Sequence, residues 1–89
     1  MISIKSKIAE ILKTQIDFLS IEEIESMIEI PQETSMGDYA FPCFKLAKQL
    51  HKAPAMIASD IASNISGEVF EKVVNVNAYV NMFINKEYF

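Results

Sequence analysis

The chain has no arginine and no tryptophan, one histidine, one cysteine and only two glycines. Each shortage excludes something. The lone Cys43 cannot form an internal disulfide, and no cluster of Cys and His offers metal-ligand spacing. Gly37 and Gly67 stand far apart, so no glycine-rich loop cradles phosphate. The apolar runs are too short to cross a bilayer. The opening residues, MISIKSKIAEIL, mix Lys and Glu into a helical period, unlike a signal or transit peptide. No membrane partner and a reducing cytoplasmic compartment are therefore expected. Catalysis is poorly provided for: His51 has no partner set by sequence, Asp38 after Gly37 is expected to order a turn rather than act as a base, and Cys43 reads as a buried small apolar residue. No catalytic residue, no metal ligand and no cofactor is assigned to this chain.

What is present fits one small domain. Eighty-nine residues, 51% of them hydrophobic, suffice for a single modest core spanning 1–89. The net charge of −4 argues against a general nucleic-acid binder, but the charges are unevenly spread. Residues 1–44 hold three lysines and eight acids; residues 45–89 hold five lysines and four acids. Between Asp17 and Asp38 there are seven acids and no lysine. That segment is expected to face away from any phosphate, whereas the second half tolerates it.

Hydrophobic spacing gives the elements. Ile4, Ile8, Ile11, Leu12 and Leu19 form one stripe of an amphipathic helix expected to run to about Ser20. Ser20 with Glu23 makes a capping box for a short second helix, its apolar face Ile21, Ile24, Met27 and Ile28. Residues 28–30 read as a possible strand before Pro31. Residues 32–37 are a polar turn with Gly37 available for positive φ, and 38–41 a short strand. Pro42 is expected in the first turn of a third helix that buries Phe44, Leu46, Ala47 and Leu50. Pro54 starts a fourth helix on Ile57, Ile61 and Ile65, with Gly67 as its C-cap. From Val69 the period becomes two: Phe70, Val74 and Val76 are read opposite Glu71, Val73 and Asn75. After a turn at Asn77-Ala78, Val80, Met82 and Ile84 alternate with Tyr79, Asn81, Phe83 and Asn85, which predicts a β-hairpin. The expected fold is α+β, in two layers, with helices packed on one face of a small antiparallel sheet.

Two patterns bear on function. Lys45, Lys48 and Lys52 lie at i, i+3 and i+7, one face of a helix, with His51 at its edge. They are either phosphate contacts or simply the solvated side of an amphipathic helix. Tyr79, Asn81 and Phe83 project from one side of the last strand. Two rings to stack on and an amide to bond a base edge suit unpaired bases; alternatively that face packs on helices and Phe83 belongs to the core.

The stretch IPQETSMGDYAFPCFKLAKQLHKAPAMIASDIA, followed by AYVNMFI, resembles the N-terminal appended domain of arginyl-tRNA synthetases. The resemblance rests on Ile-Pro before a loop, Gly37-Asp38-Tyr39-Ala40, the helix from Phe44 to Leu50, the proline-started helix and a closing strand. It implies a tRNA-binding accessory domain of an arginine-tRNA ligase that contacts the D-loop of the arginine tRNA. Aminoacylation, with ATP and arginine, would then fall to a catalytic domain expected outside this chain. By position it implies base contact at Tyr79 and Asn81, with Asn77 beside them. Two departures stand out: Asn77-Ala78 replaces a Gly/Pro-rich turn, and Ala53 replaces the Asn that usually precedes the second proline. The alternative is a protein-interaction or packing domain that docks on a catalytic body without touching RNA.

Overall fold

The computed structural model describes residues 3–88. Four helices, α1 (Ile4–Lys13), α2 (Ile21–Met27), α3 (Leu46–Leu50) and α4 (Pro54–Asn64), accompany three antiparallel strands, β1 (Tyr39–Pro42), β2 (Phe70–Val76) and β3 (Tyr79–Ile84). The sheet order is β1-β3-β2, so β3 is central. Ile8 and Leu12 of α1, Ile16 from the turns after it, Ile24 of α2, and Ile57, Ala58 and Ile61 of α4 meet Phe41, Val80, Met82 and Ile84 in one buried core. This is the expected two-layer α+β arrangement.

Local chemistry explains most boundaries. Ser3 Oγ accepts from Ser6 N–H at the start of α1. Ser20 and Glu23 form the full capping box of α2, 3.1 and 2.9 Å, and the Ser20 backbone N–H holds the Glu23 carboxyl below its ordinary pKa. The first helix is shorter than its apolar stripe implies. It stops at Lys13, where Thr14 Oγ1 donates to the Ile11 carbonyl and the Lys13 ammonium bonds the carbonyls of Asp17 and Leu19. The turns that follow fold Ile16 into the core, a position the helical stripe does not include.

Pro42 also departs from expectation: it ends β1 rather than starting a helix. The Ala40 N–H bonds Glu29 on one side of β1, while the Cys43 N–H bonds Ala78 on the other. Pro42, two residues from Ala40, therefore turns its nitrogen to the Glu29 side, where the ladder asks for no donor. Glu29 and Ala40 exchange both backbone bonds at 2.8 Å, an isolated bridge rather than a strand at 28–30. Cys43 is fully buried, which pushes its thiol up to about 12.

The hairpin forms at the expected place, with Asn77 at φ 53° in its turn. A register irregularity between Phe70 and Lys72 changes which side chains of β2 face inward. Phe70 pairs with Ile84 and Val73 with Met82, on the core side; Val74 pairs with Asn81 and Val76 with Tyr79, on the other. Strict alternation had placed Phe70 with Val74 and Val76. The C-cap of α4 is Ile65, not Gly67, and Ala53 supplies no side-chain cap to its start.

Asp38 does the ordering work expected of it. Its Oδ2 accepts from the Ile84 N–H and the Lys86 ammonium, each at 2.8 Å. The Lys86 bond, then the Ile84 bond, hold its carboxyl below the ordinary aspartate value. A depressed folded-state pKa gives stability that is complete above the unfolded value of about 3.9 and is lost as pH falls through the folded one. Asp38→Ala is expected to cost about 1 kcal/mol near neutral pH, a charged hydrogen bond discounted for its partial exposure. In urea titrations the gap from the parent should close below about pH 3.9.

Candidate nucleic-acid interface

Helices cover one side of the sheet; the other side carries Tyr79, Asn81 and Phe83 from β3, flanked by Ala40 and Pro42 of β1 and by Lys72, Val74 and Val76 of β2. Alternation along β3 produces this directly, since Val80, Met82 and Ile84 point into the core. Tyr79 is half-buried between Pro42 and Val76. Phe83 is also half-buried and outside the core, with the Lys72 ammonium 4.5 Å from its ring centre.

Asn81 is only 2% exposed. The 3₁₀ turn Thr34–Met36 packs beside it, and its Nδ2 donates to the Met36 carbonyl. With the amino group so engaged, the carbonyl oxygen Oδ1 is buried and has no hydrogen-bond partner among the described residues. An unpaired buried acceptor is costly and rare in a folded protein. Asn81 itself lines a cleft of about 180 Å³ with Glu29, Pro31, Met36, Ala40 and Tyr79.

Gly37 lets the turn approach so closely. Its φ is 104°, and a Cβ there would lie 3.0 Å from the Met82 carbonyl oxygen on β3. The Asp38 N–H donates to that same oxygen at 2.9 Å. Gly37-Asp38 thus welds the turn to the strand that carries Asn81.

The lysine row does not survive as one face. α3 has only five residues and ends at His51, which takes the left-handed conformation at φ 54°. Lys45 precedes the helix, Lys48 lies on it and Lys52 lies beyond it, bonded to Asp60 at 3.1 Å. Lys45 borders a second cleft with Phe44 and Tyr79; Lys52 sits instead in a separate hollow with Gln15, Asp60 and Asn64. Asn77, in the hairpin turn, is exposed two residues before Tyr79.

Phe44 is the residue that spacing misassigned. Expected in the core, it is 55% exposed because the chain stays non-helical until Leu46. Its ring meets that of Tyr79 edge to face, 5.6 Å between centres and 80° between planes. Leu50, also expected inside, is over a third exposed at the helix end. The acidic segment does not wholly face away: Glu29 lines both clefts beside Tyr79. Among the described residues no group of three His, Cys, Asp or Glu side chains converges on a metal position, and no helix is long and apolar enough to cross a membrane.

Comparison with known proteins gives this surface a context. The family model described as "Arginyl tRNA synthetase N terminal domain" matches residues 3–84. An arginine–tRNA ligase of Halothermothrix orenii is 53% identical over 90 residues, covering 100% of this chain and 16% of the ligase. One of Clostridioides difficile is 56% identical over 84 residues, covering 92% of this chain and 15% of its own. Among solved structures, Thermus thermophilus arginyl-tRNA synthetase superposes with a TM-score of 0.61 at 32% identity, over 68% of this chain and 10% of that one. The chain thus spans about a sixth or less of the length of these relatives.

Proposed function

Since the chain belongs to the family of arginyl-tRNA synthetase N-terminal domains, we propose that it is the tRNA-positioning part of an arginine-tRNA ligase and contacts the D-loop of the arginine tRNA. The observation that carries this reading is that Tyr79 and Asn81, whose Oδ1 is buried without a partner, line one cleft. An unpaired base stacks on Tyr79, and one of its N–H groups donates to Oδ1, supplying the bond the free protein leaves unmade. Asn77 borders the same strand end. Lys45 and Lys48 contact phosphates; Lys52, held by Asp60, contributes less. ATP and arginine are handled by the catalytic part of the ligase, which is also this domain's protein partner, and the enzyme works in the cytoplasm.

The role is positioning, without chemistry. Two phosphate contacts on a single strand give a salt dependence of about 1.4 log units of affinity per log unit of salt. Binding by the domain alone is weak, and tethering to the rest of the enzyme raises it through effective concentration.

Titration of the 89-residue chain with arginine tRNA, followed by backbone amide shifts at low and physiological salt, tests the reading. Shifts at 77–83 and 45–48 are expected, stronger than with an unrelated tRNA. Tyr79→Ala should weaken binding about tenfold, one lost base stack. Equal shifts for both tRNAs that vanish with salt would reduce the contact to backbone attraction. Silence at millimolar RNA would leave a domain that docks on the catalytic body instead.

A further inference from the structure

Tyr79 lines two clefts. One, beside Asn81, is the site described above. The other, about 370 Å³, is lined by Ser26, Met27, Glu29, Pro42, Phe44 and Lys45. We propose that this second cleft is a nucleotide subsite of its own, taking the unpaired base adjacent to the one at Asn81, with its phosphate on Lys45.

Three observations support it. Phe44 is a large aromatic residue left more than half exposed. Its perpendicular contact with Tyr79 leaves at least one face of each ring uncovered by the other, so the two rings do not block each other from stacking on a base. Lys45 is exposed, and the ion pairs among the described residues are Lys52–Asp60 and Lys86–Asp38, so its ammonium has no carboxylate partner. Glu29, which lines both clefts, adds polarity. A carboxylate repels phosphate and accepts from amino groups, so the phosphate lies toward Lys45 and the base edge toward Glu29. The ligand class is an unpaired nucleotide whose base carries an exocyclic amine. Two consecutive bases would then occupy the two clefts that Tyr79 lines, and the domain would read a dinucleotide step rather than a single base.

This inference rests on the reading that the Tyr79 surface contacts the tRNA D-loop, and one experiment separates the two. The probes are an RNA stem-loop carrying the D arm of the arginine tRNA and a series in which one loop nucleotide at a time is abasic. They are titrated into the chain and its Asn81→Ala, Phe44→Ala and Phe44→Leu variants, each checked for a native amide spectrum. Two adjacent abasic positions should each weaken binding about tenfold. Phe44→Ala should weaken the intact loop similarly yet cost nothing further when the second position is abasic, with Asn81→Ala behaving so at the first. Phe44→Leu should match Phe44→Ala, because leucine keeps apolar bulk but offers no ring. If Phe44→Ala couples to the same position as Asn81→Ala, or has no effect, or if leucine restores binding, the second subsite is overturned while the first stands. If no abasic position and no variant matters, both readings fall.

Discussion

Gly37→Ala is expected to destabilise the domain by about 3 kcal/mol and to lower the melting temperature by roughly 10–20 °C. Gly37 has φ 104° and ψ 176°, a region that side chains essentially never occupy, and its absent Cβ faces the Met82 backbone at 3.0 Å to oxygen and 3.3 Å to nitrogen. The obstacle is main chain in the central strand, which no rotamer change relieves. A loss of that size is a large fraction of the roughly 5–15 kcal/mol that holds a typical domain together. Gly67→Ala is the useful comparison. Gly67 also has positive φ, 149°, but a Cβ there would meet only Ile11 Cδ1, at 3.8 Å. It should cost clearly less in thermal and urea unfolding. Equal losses at the two positions would mean that the fit of the turn against Met82 carries no energy of its own.

Asn81→Leu is expected to act in opposite directions on stability and on binding. Leucine has asparagine's branching and number of side-chain heavy atoms, though it is bulkier, and the neighbours across the sheet, Ala40 and Val74, are apolar. The substitution removes an acceptor buried without a partner, while the Met36 carbonyl it deprives belongs to a residue 36% exposed. Stability should therefore hold or rise by about 1 kcal/mol. Affinity for arginine tRNA should fall about tenfold or more, since no acceptor is left beside Tyr79. Urea unfolding and RNA titration on the same sample measure both. A variant that loses stability and binding together would mark Asn81 as a strut for the Met36 turn. Such a trade of stability against function is common where a site keeps a group unsatisfied for its ligand.

How much of this was legible in the sequence depended on whether the cause was local. The α2 capping box, the Pro54 helix and the hairpin rest on residues within a few positions of one another, and they form where spacing places them. Side-chain alternation in β3 likewise fixes Tyr79, Asn81 and Phe83 on one face. The misreadings have non-local or count-dependent causes. α3 ends at His51 before a second turn completes, so Lys52 leaves the row and joins Asp60. Phe44 lies outside because the chain turns into helix only at Leu46. One irregularity between Phe70 and Lys72 reverses the parity of the rest of β2. The burial of Asn81 depends on Met36, 45 residues earlier in the chain, and no local pattern encodes that meeting. Its only trace is the Gly37-Asp38 pair, which permits the approach without revealing its target.

The strand order has a consequence for synthesis. β1 and β2 do not pair with each other; each pairs with β3, the last of the three to be made. A nascent chain ending before Tyr79 has both flanking strands and nothing between them, so no sheet can close and the apolar faces of α1, α2 and α4 have no floor to settle on. The ribosome must deliver Ile84 before the domain can fold as a unit, and the strand that carries Tyr79 and Asn81 is the one whose arrival completes it.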